Sequence, residues 1–442
     1  MLDYFVSIFF IALAFFAIYK IKMFGAKGIS KHWFAGAFAV KLIAALMMWF
    51  IYTNHYTDRS KADIFRYYDD AKVFQHLLKN HKLEYFKFFF QKKSSEEDIN
   101  VILKYTNSWE MAEENTLYGS NRLIIRSNML ISLFSLGVYG VHVIVFSFIS
   151  FMGLFWIFRF FYRQLPERKW LVFLTVFGFP SIVFWSSGIL KESLILFFIG
   201  LIFNCGSYAL KGRKIIPRTI LVIIAFFFLF QTRAIIALIL FPIILAYIWN
   251  YIKPQRKVFL PYFIMLFLTL SLLTESEKII GTDFYSILVE KRLAFEELAN
   301  QPETTSSIVG IQFEADGYSI LKSTPIALIN SIFRPTPWDA KGYLMWASTL
   351  ENILLFFMLI LMVIYPITSI KNKNVLWFAL LFALANLILV GLTTPILGAI
   401  SRYRIIGLLF FLMAFIQLVD FNKILKLLKN KSTIQTTNAK QK

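Results

Sequence analysis

Cysteine is almost absent from this sequence: Cys205 stands alone, inside an apolar run. That excludes intrachain disulfides and cysteine-based metal sites. Histidine is scarce as well, at positions 32, 55, 76, 81 and 142, with no spacing suited to a metal. Glycine-rich phosphate loops, nucleophile elbows and zinc motifs are missing. Acidic residues are outnumbered, 26 Asp and Glu against 46 Lys and Arg, for a net charge of +20. No soluble domain accompanies this charge. The positive charge is spread over connections between apolar runs, and nucleic acid is excluded as a partner.

What the chain has in abundance is apolar length. Hydrophobic residues make up 58% of it, and 50 residues are Phe. Its runs repeatedly reach the roughly 20 residues that cross a bilayer core of about 30 Å. They lack the period-2 alternation of a barrel, so helices must satisfy the backbone in lipid. The pattern predicts an all-α, polytopic integral membrane protein. The expected spans are 4–20, 33–53, 137–159, 170–187, 190–209, 217–231, 234–251, 258–274, 348–370, 374–393 and 404–420, with 217–231 and 234–251 alternatively a re-entrant pair. Residues 1–430 are expected as a single transmembrane domain and 431–442 as a disordered basic tail. No small-residue cleavage site follows the first span, which reads as a retained helix.

Lys and Arg in short loops set orientation. Lys20, Lys22, Lys27 and Lys31; Arg159, Arg163, Arg168 and Lys169; Lys211, Arg213, Lys214 and Arg218; Lys253, Arg256 and Lys257; and Lys371 and Lys373 fall on alternate connections. These connections are expected in the cytoplasm, with the N-terminus outside and the C-terminus inside a cytoplasmic (inner) membrane. Two long segments, about 54–136 and 275–347, then face outward. The first holds a Lys- and Phe-rich stretch from Tyr85 to Lys93, an acidic patch (Glu96, Glu97, Asp98) and an amphipathic helix over Leu123–Leu136. The second holds a charged helical pattern from Glu275 to Asn300, a turn over Gln301–Ser307, an apolar helix over Ile320–Phe333, and the stiff elbow Arg334-Pro335-Thr336-Pro337-Trp338-Asp339.

Ionisable residues at a membrane edge are costly and therefore functional candidates. Asp58, Asp63, Asp69 and Asp70 lie together just after the second span, beside Phe65, Tyr67 and Tyr68. Aromatic faces next to carboxylates suit carbohydrate: rings stack on C–H groups while the carboxylates accept from hydroxyls. Lys191 and Glu192 close the tight hairpin Trp185-Ser186-Ser187-Gly188-Ile189-Leu190. Here Glu192 is a candidate base and Lys191 a phosphate contact. Arg122, Arg126, Arg233, Arg402 and Arg404, with Arg334 and Trp338 in the elbow, fall on the face that the positive-inside rule disfavours. Guanidinium forks match phosphate oxygens, so this set points to an anionic, lipid-linked ligand.

The outer Asp/Tyr loop, the Ser-Gly-x-x-Lys-Glu hairpin (Ser187, Gly188, Lys191, Glu192) and the terminal Arg402-Tyr403-Arg404 resemble polytopic glycan-assembly enzymes. These are the GT-C-fold glycosyltransferases that use polyprenyl-phosphate sugars, and the O-antigen and exopolysaccharide polymerases. The resemblance implies a membrane transferase with a polyprenyl-linked glycan donor and a glycan or other hydroxyl acceptor. It implies a catalytic or metal-binding carboxylate at Asp69 or Asp70, and a lipid diphosphate held by Arg233 or Arg402. Whether a divalent metal takes part is left open. Here the aspartates follow the second span, an arrangement nearer the polymerases. The competing expectation is a transporter or flippase of a lipid-linked or anionic substrate.

Overall fold

The computed structural model describes residues 2–55, 58–90, 101–109, 121–300, 308–424 and 426. The acidic patch Glu96–Asp98, the turn over Gln301–Ser307, Gln91 to Lys93 and the tail from 431 lie outside these residues. Contacts group the chain into two compact units, Met1–Leu238 and Ile239–Lys442. Among the described residues the regular structure is helical, with only isolated bridges such as Ile308 with Ile396.

The first unit holds α1 (Leu2–Lys20), α2 (Lys31–His55), α3 (Asp63–Gln75), α4 (Leu77–Asn80), α5 (Lys82–Phe89), α6 (Arg122–Ser132), α7 (Tyr139–Gln164), α8 (Lys169–Gly178), α9 (Pro180–Trp185) and α10 (Lys191–Ala209). It also contains most of α11 (Ile215–Ile252), which leads into the second unit. The second unit continues with α12 (Phe259–Thr274), α13 (Ser276–Ile280), α14 (Phe284–Ala299), α15 (Gly317–Phe333), α16 (Gly342–Ile364), α17 (Lys373–Thr393), α18 (Leu397–Tyr403) and α19 (Ile405–Leu418).

Among the described residues seven helices are long and apolar enough to cross a membrane: α1, α2, α7, α10, α11, α16 and α17. The pair α18 and α19, which meet at 58°, would make an eighth as one bent span. The chain is an all-α, multi-pass membrane protein. Other expected spans depart from simple crossings. Residues 170–187 split into α8 and α9, because Phe179 is extended (φ −75, ψ 121) ahead of Pro180. Proline at the first helical position starts a new helix there. Residues 258–274 give α12, only 16 residues long. The expected spans 217–231 and 234–251 are joined within α11 through a single non-helical residue, Arg233 (φ −158, ψ 92), with helix on both sides.

Membrane helices gain no hydrophobic driving force from each other and rely on close approach. In the first unit, α7 and α10 meet through Gly153 and Gly200, where an added Cβ would strike backbone atoms of Leu196 and of Gly153. In the second, Gly391 of α17 rests on the Ala327 carbonyl of α15 in the same way. Phenylalanines fill the first unit's interior: Phe34 packs edge-on against Phe155, Phe158 and Phe173.

Candidate functional site

The hairpin between α9 and α10 is buried from Ser186 to Leu190 and is not helical. Irregular backbone at membrane depth persists only where protein groups satisfy it. The Ser186 carbonyl accepts from Lys41 Nζ at 2.7 Å, Ser150 Oγ at 2.6 Å and Ser193 Oγ at 3.1 Å. Ser193 Oγ also donates to the Gly188 carbonyl at 2.9 Å. Lys41 comes from the middle of α2 and is only 2% exposed, so its ammonium serves the hairpin rather than water. Sequence reasoning passed over Lys41. The signal was there, since a lone charge within a span is costly enough to mark a special position.

Glu192 lies one residue beyond the start of α10 and is buried. Its Oε1 faces Arg233 Nη2 at 3.8 Å, at the point where α11 leaves helical geometry. Lys191 opens α10 next to it and is half-buried. This pairing joins two of the expected site residues across 41 positions of sequence.

The acidic segment is drawn onto the same hairpin. Ile64 and Phe65 of α3 pack with Leu190, Met48 and Trp185, while Tyr67 and Tyr68 cluster with Ile189 and Leu194. That packing changes the tasks of several expected site residues. Tyr68 and Tyr67 are core residues, and the Tyr68 hydroxyl donates to the Gly137 carbonyl. The surface for stacking sugars expected from Phe65, Tyr67 and Tyr68 is therefore turned inward, because α3 buries its apolar face. Asp70 is fully buried, and its two oxygens accept from the backbone N–H groups of Asn107 at 2.8 Å and Ser108 at 2.7 Å. Burial pushes its carboxyl up, partly opposed by those N–H bonds and by Arg66. Asp70, expected as catalytic, thus pins the 101–109 segment to α3.

The remaining aspartates do not gather. Asp58 caps the short turn that follows, accepting from Ser60 N at 2.9 Å and Ser60 Oγ at 2.7 Å. Asp63 lies 3.9 Å from Arg66. Asp69 takes a two-pronged contact from Arg59, at 2.7 and 3.0 Å, and keeps part of its surface. Arg122 and Arg126 flank the Trp109 indole, each 5.5 Å from the ring. Burial, with Arg122 beside it, pulls Arg126 down to about 10. Among the described residues no three His, Cys, Asp or Glu side chains gather as a metal site.

The second unit holds the other expected arginines. Arg404 is fully buried. Its Nη1 donates to the carbonyls of Ser331 (3.3 Å), Ile332 (3.1 Å) and Arg334 (3.4 Å), and Nη2 meets Glu351 at 3.1 Å. Asn352 adds donations to Phe333 O at 3.2 Å and Pro335 O at 2.9 Å. A helix end leaves four carbonyls without intrahelical partners and carries partial negative charge. Arg404 and Asn352 supply those partners to α15, so Arg404, expected on substrate, clamps a helix terminus. Arg402 is nearly buried with its guanidinium 5.3 Å from the Tyr403 ring. Arg334 pairs with Asp339 at 3.4 Å, and Trp338 projects from the elbow, 90% exposed. A further clamp escaped sequence reasoning: buried Arg292 donates to Leu392 O at 3.1 Å and Val309 O at 2.7 Å.

Compared with known proteins, the chain matches no family model, no curated protein and no solved structure.

Proposed function

We propose that this protein is a membrane glycosyltransferase or polysaccharide polymerase, transferring sugar units from a polyprenyl-phosphate or polyprenyl-diphosphate donor. It works at the outer face of the cytoplasmic membrane, with the N-terminus outside and the C-terminus inside across about eleven crossings or re-entrant segments. The observation that supports this reading best is the buried Glu192 carboxylate facing Arg233 at 3.8 Å, beside a hairpin fixed by Lys41. In this reading Glu192 removes the proton of the acceptor hydroxyl. The freed oxygen attacks the anomeric carbon, the bond from that carbon to the phosphate oxygen breaks, and the proton stays on Glu192. Arg233 and Lys191 receive the charge developing on the departing lipid phosphate. Asp69, still partly exposed, is the remaining aspartate candidate for orienting the glycan.

A transporter or flippase is the second reading, and one observation favours it. The Arg233 break in α11 places irregular backbone beside the buried Glu192 carboxylate, as transport proteins do near the bilayer midplane. One experiment separates the two. Purified protein in vesicles is supplied with polyprenyl-phosphate and polyprenyl-diphosphate sugars and a hydroxyl acceptor. Consumption of either donor, lost in Glu192→Gln, supports the transferase. Movement of the intact lipid between leaflets without consumption replaces it with transport.

A further inference from the structure

The basic connections of the first unit converge on a group that the transferase reading does not use. Arg159 and Arg163 lie one turn apart near the end of α7, Tyr208 lies at the end of α10, and Arg218 lies in the first turns of α11. Arg159 Nη2 and Arg163 Nη2 both donate to the Tyr208 hydroxyl, at 2.9 and 2.7 Å. The Arg218 guanidinium stacks over the same ring, 4.1 Å from its centre. All four residues are half-buried, and Arg218 Nη1 is buried with no hydrogen-bond partner among the described residues.

Three guanidinium cations thus crowd one neutral phenol, and among the described residues no carboxylate is ion-paired with any of them. Like charges this close repel more strongly as water is excluded. The negative ends of α7 and α10 offset only about half a charge each. The set therefore lacks an anion. Two forks directed at one hydroxyl, with a third guanidinium stacked on the same ring, offer several N–H donors and match the several oxygens of a phosphate better than a carboxylate. Basic pockets between membrane helices are the places where lipid phosphates bind.

We infer that Arg159, Arg163 and Arg218 form a phosphate-binding site around Tyr208, for the phosphomonoester or phosphodiester headgroup of a lipid at this basic face. The tetrahedral group takes one fork from each side, and the Tyr208 hydroxyl, already receiving two N–H bonds, is left to donate its proton to a phosphate oxygen. Ordinary snorkelling of arginines to headgroups predicts something different: every basic side chain on the face contributes alike.

Native mass spectrometry of the full chain in non-ionic detergent reads this directly, using phosphatidic acid, diacylglycerol and inorganic phosphate as probes. Phosphatidic acid is expected to bind at least about tenfold more tightly than diacylglycerol, which has the same chains without the phosphate. Arg163→Gln and Arg218→Gln each weaken phosphatidic acid about tenfold, Arg163→Lys weakens it less, and Lys211→Gln leaves it unchanged. Equal affinity for both lipids overturns the site, as does equal weakening by Lys211→Gln and Arg163→Gln. Competition by inorganic phosphate supports the phosphate as the recognised group. Binding of inorganic phosphate without phosphatidic acid overturns the lipid source. Should a glutamine variant fail to fold, Tyr208→Phe keeps the packing and is expected to weaken phosphatidic acid alone.

Discussion

Two arginines, Arg404 and Arg233, each meet a buried glutamate, and they do so on different terms. Arg404 and Glu351 are both buried and 3.1 Å apart, and Nη1 of the arginine also serves three carbonyls at the end of α15. Arg233 and Glu192 stand 3.8 Å apart, and the arginine retains 17% of its side-chain surface where its own helix breaks. A buried pair offsets its desolvation only when close geometry and further hydrogen bonds complete it. The first pair meets that condition and is architectural. The second is looser and partly open, which is the state expected of groups that exchange partners with a substrate.

Breaking the tight pair should have the largest effect. Arg404→Met strands Glu351 and the α15 carbonyls and is expected to cost about 3–5 kcal/mol of stability, read as a lowered thermal midpoint in detergent. An unchanged midpoint would remove the clamp from the account. Glu192→Gln is the counterpart. It should lower donor consumption by about a hundredfold or more while moving the midpoint far less than Arg404→Met. If stability fell and turnover did not, the two pairs would have exchanged roles.

Asp70 sharpens the contrast from the acidic side. Asp70→Asn turns an acceptor into a donor against the Ser108 or Asn107 N–H and is expected to cost about 1–3 kcal/mol. Its pH dependence has a definite sign. The folded carboxyl is raised above its unfolded value, so the folded state holds that proton more tightly. The resulting stability is present below the ordinary carboxylate range and disappears as pH rises through the raised value. Wild type should therefore gain on Asp70→Asn as pH is lowered through that window, measured by denaturation at several pH values. A gap that widened with rising pH would contradict a raised carboxyl. The smallest effect belongs to the exposed Arg59–Asp69 pair, where Arg59→Gln should cost less than about 1 kcal/mol and weaken in its effect as salt is added. A double-mutant cycle with Asp69→Asn checks it.

Local elements were legible because they depend on neighbours in sequence. The amphipathic pattern over 123–136 folds as α6 at Arg122–Ser132, and the apolar pattern over 320–333 folds as α15 at Gly317–Phe333. The fates of individual charges were less legible. Asp69 and Asp70 are adjacent and chemically alike, yet one binds an exposed arginine and the other two backbone N–H groups 37 and 38 residues away. Arg402 and Arg404 read as one motif, yet Arg404 reaches the carbonyls at the end of α15 while the Arg402 guanidinium lies 5.3 Å from the Tyr403 ring. An arginine at the edge of an apolar run reads the same whether its fork meets a phosphate or a carbonyl.

By itself the sequence determined the solvent of this protein and the helical form of its chain. Apolar runs of membrane length leave the backbone no other way to satisfy its hydrogen bonds, and this requirement is local. Only the tertiary structure decided which charges hold the fold and which are left near one another to act. That choice depends on which carbonyl, carboxylate or ring each side chain meets. Those partners, such as Lys41 with Ser186 and Arg404 with Ser331, are brought together from 145 and 73 residues away by packing that no local pattern encodes.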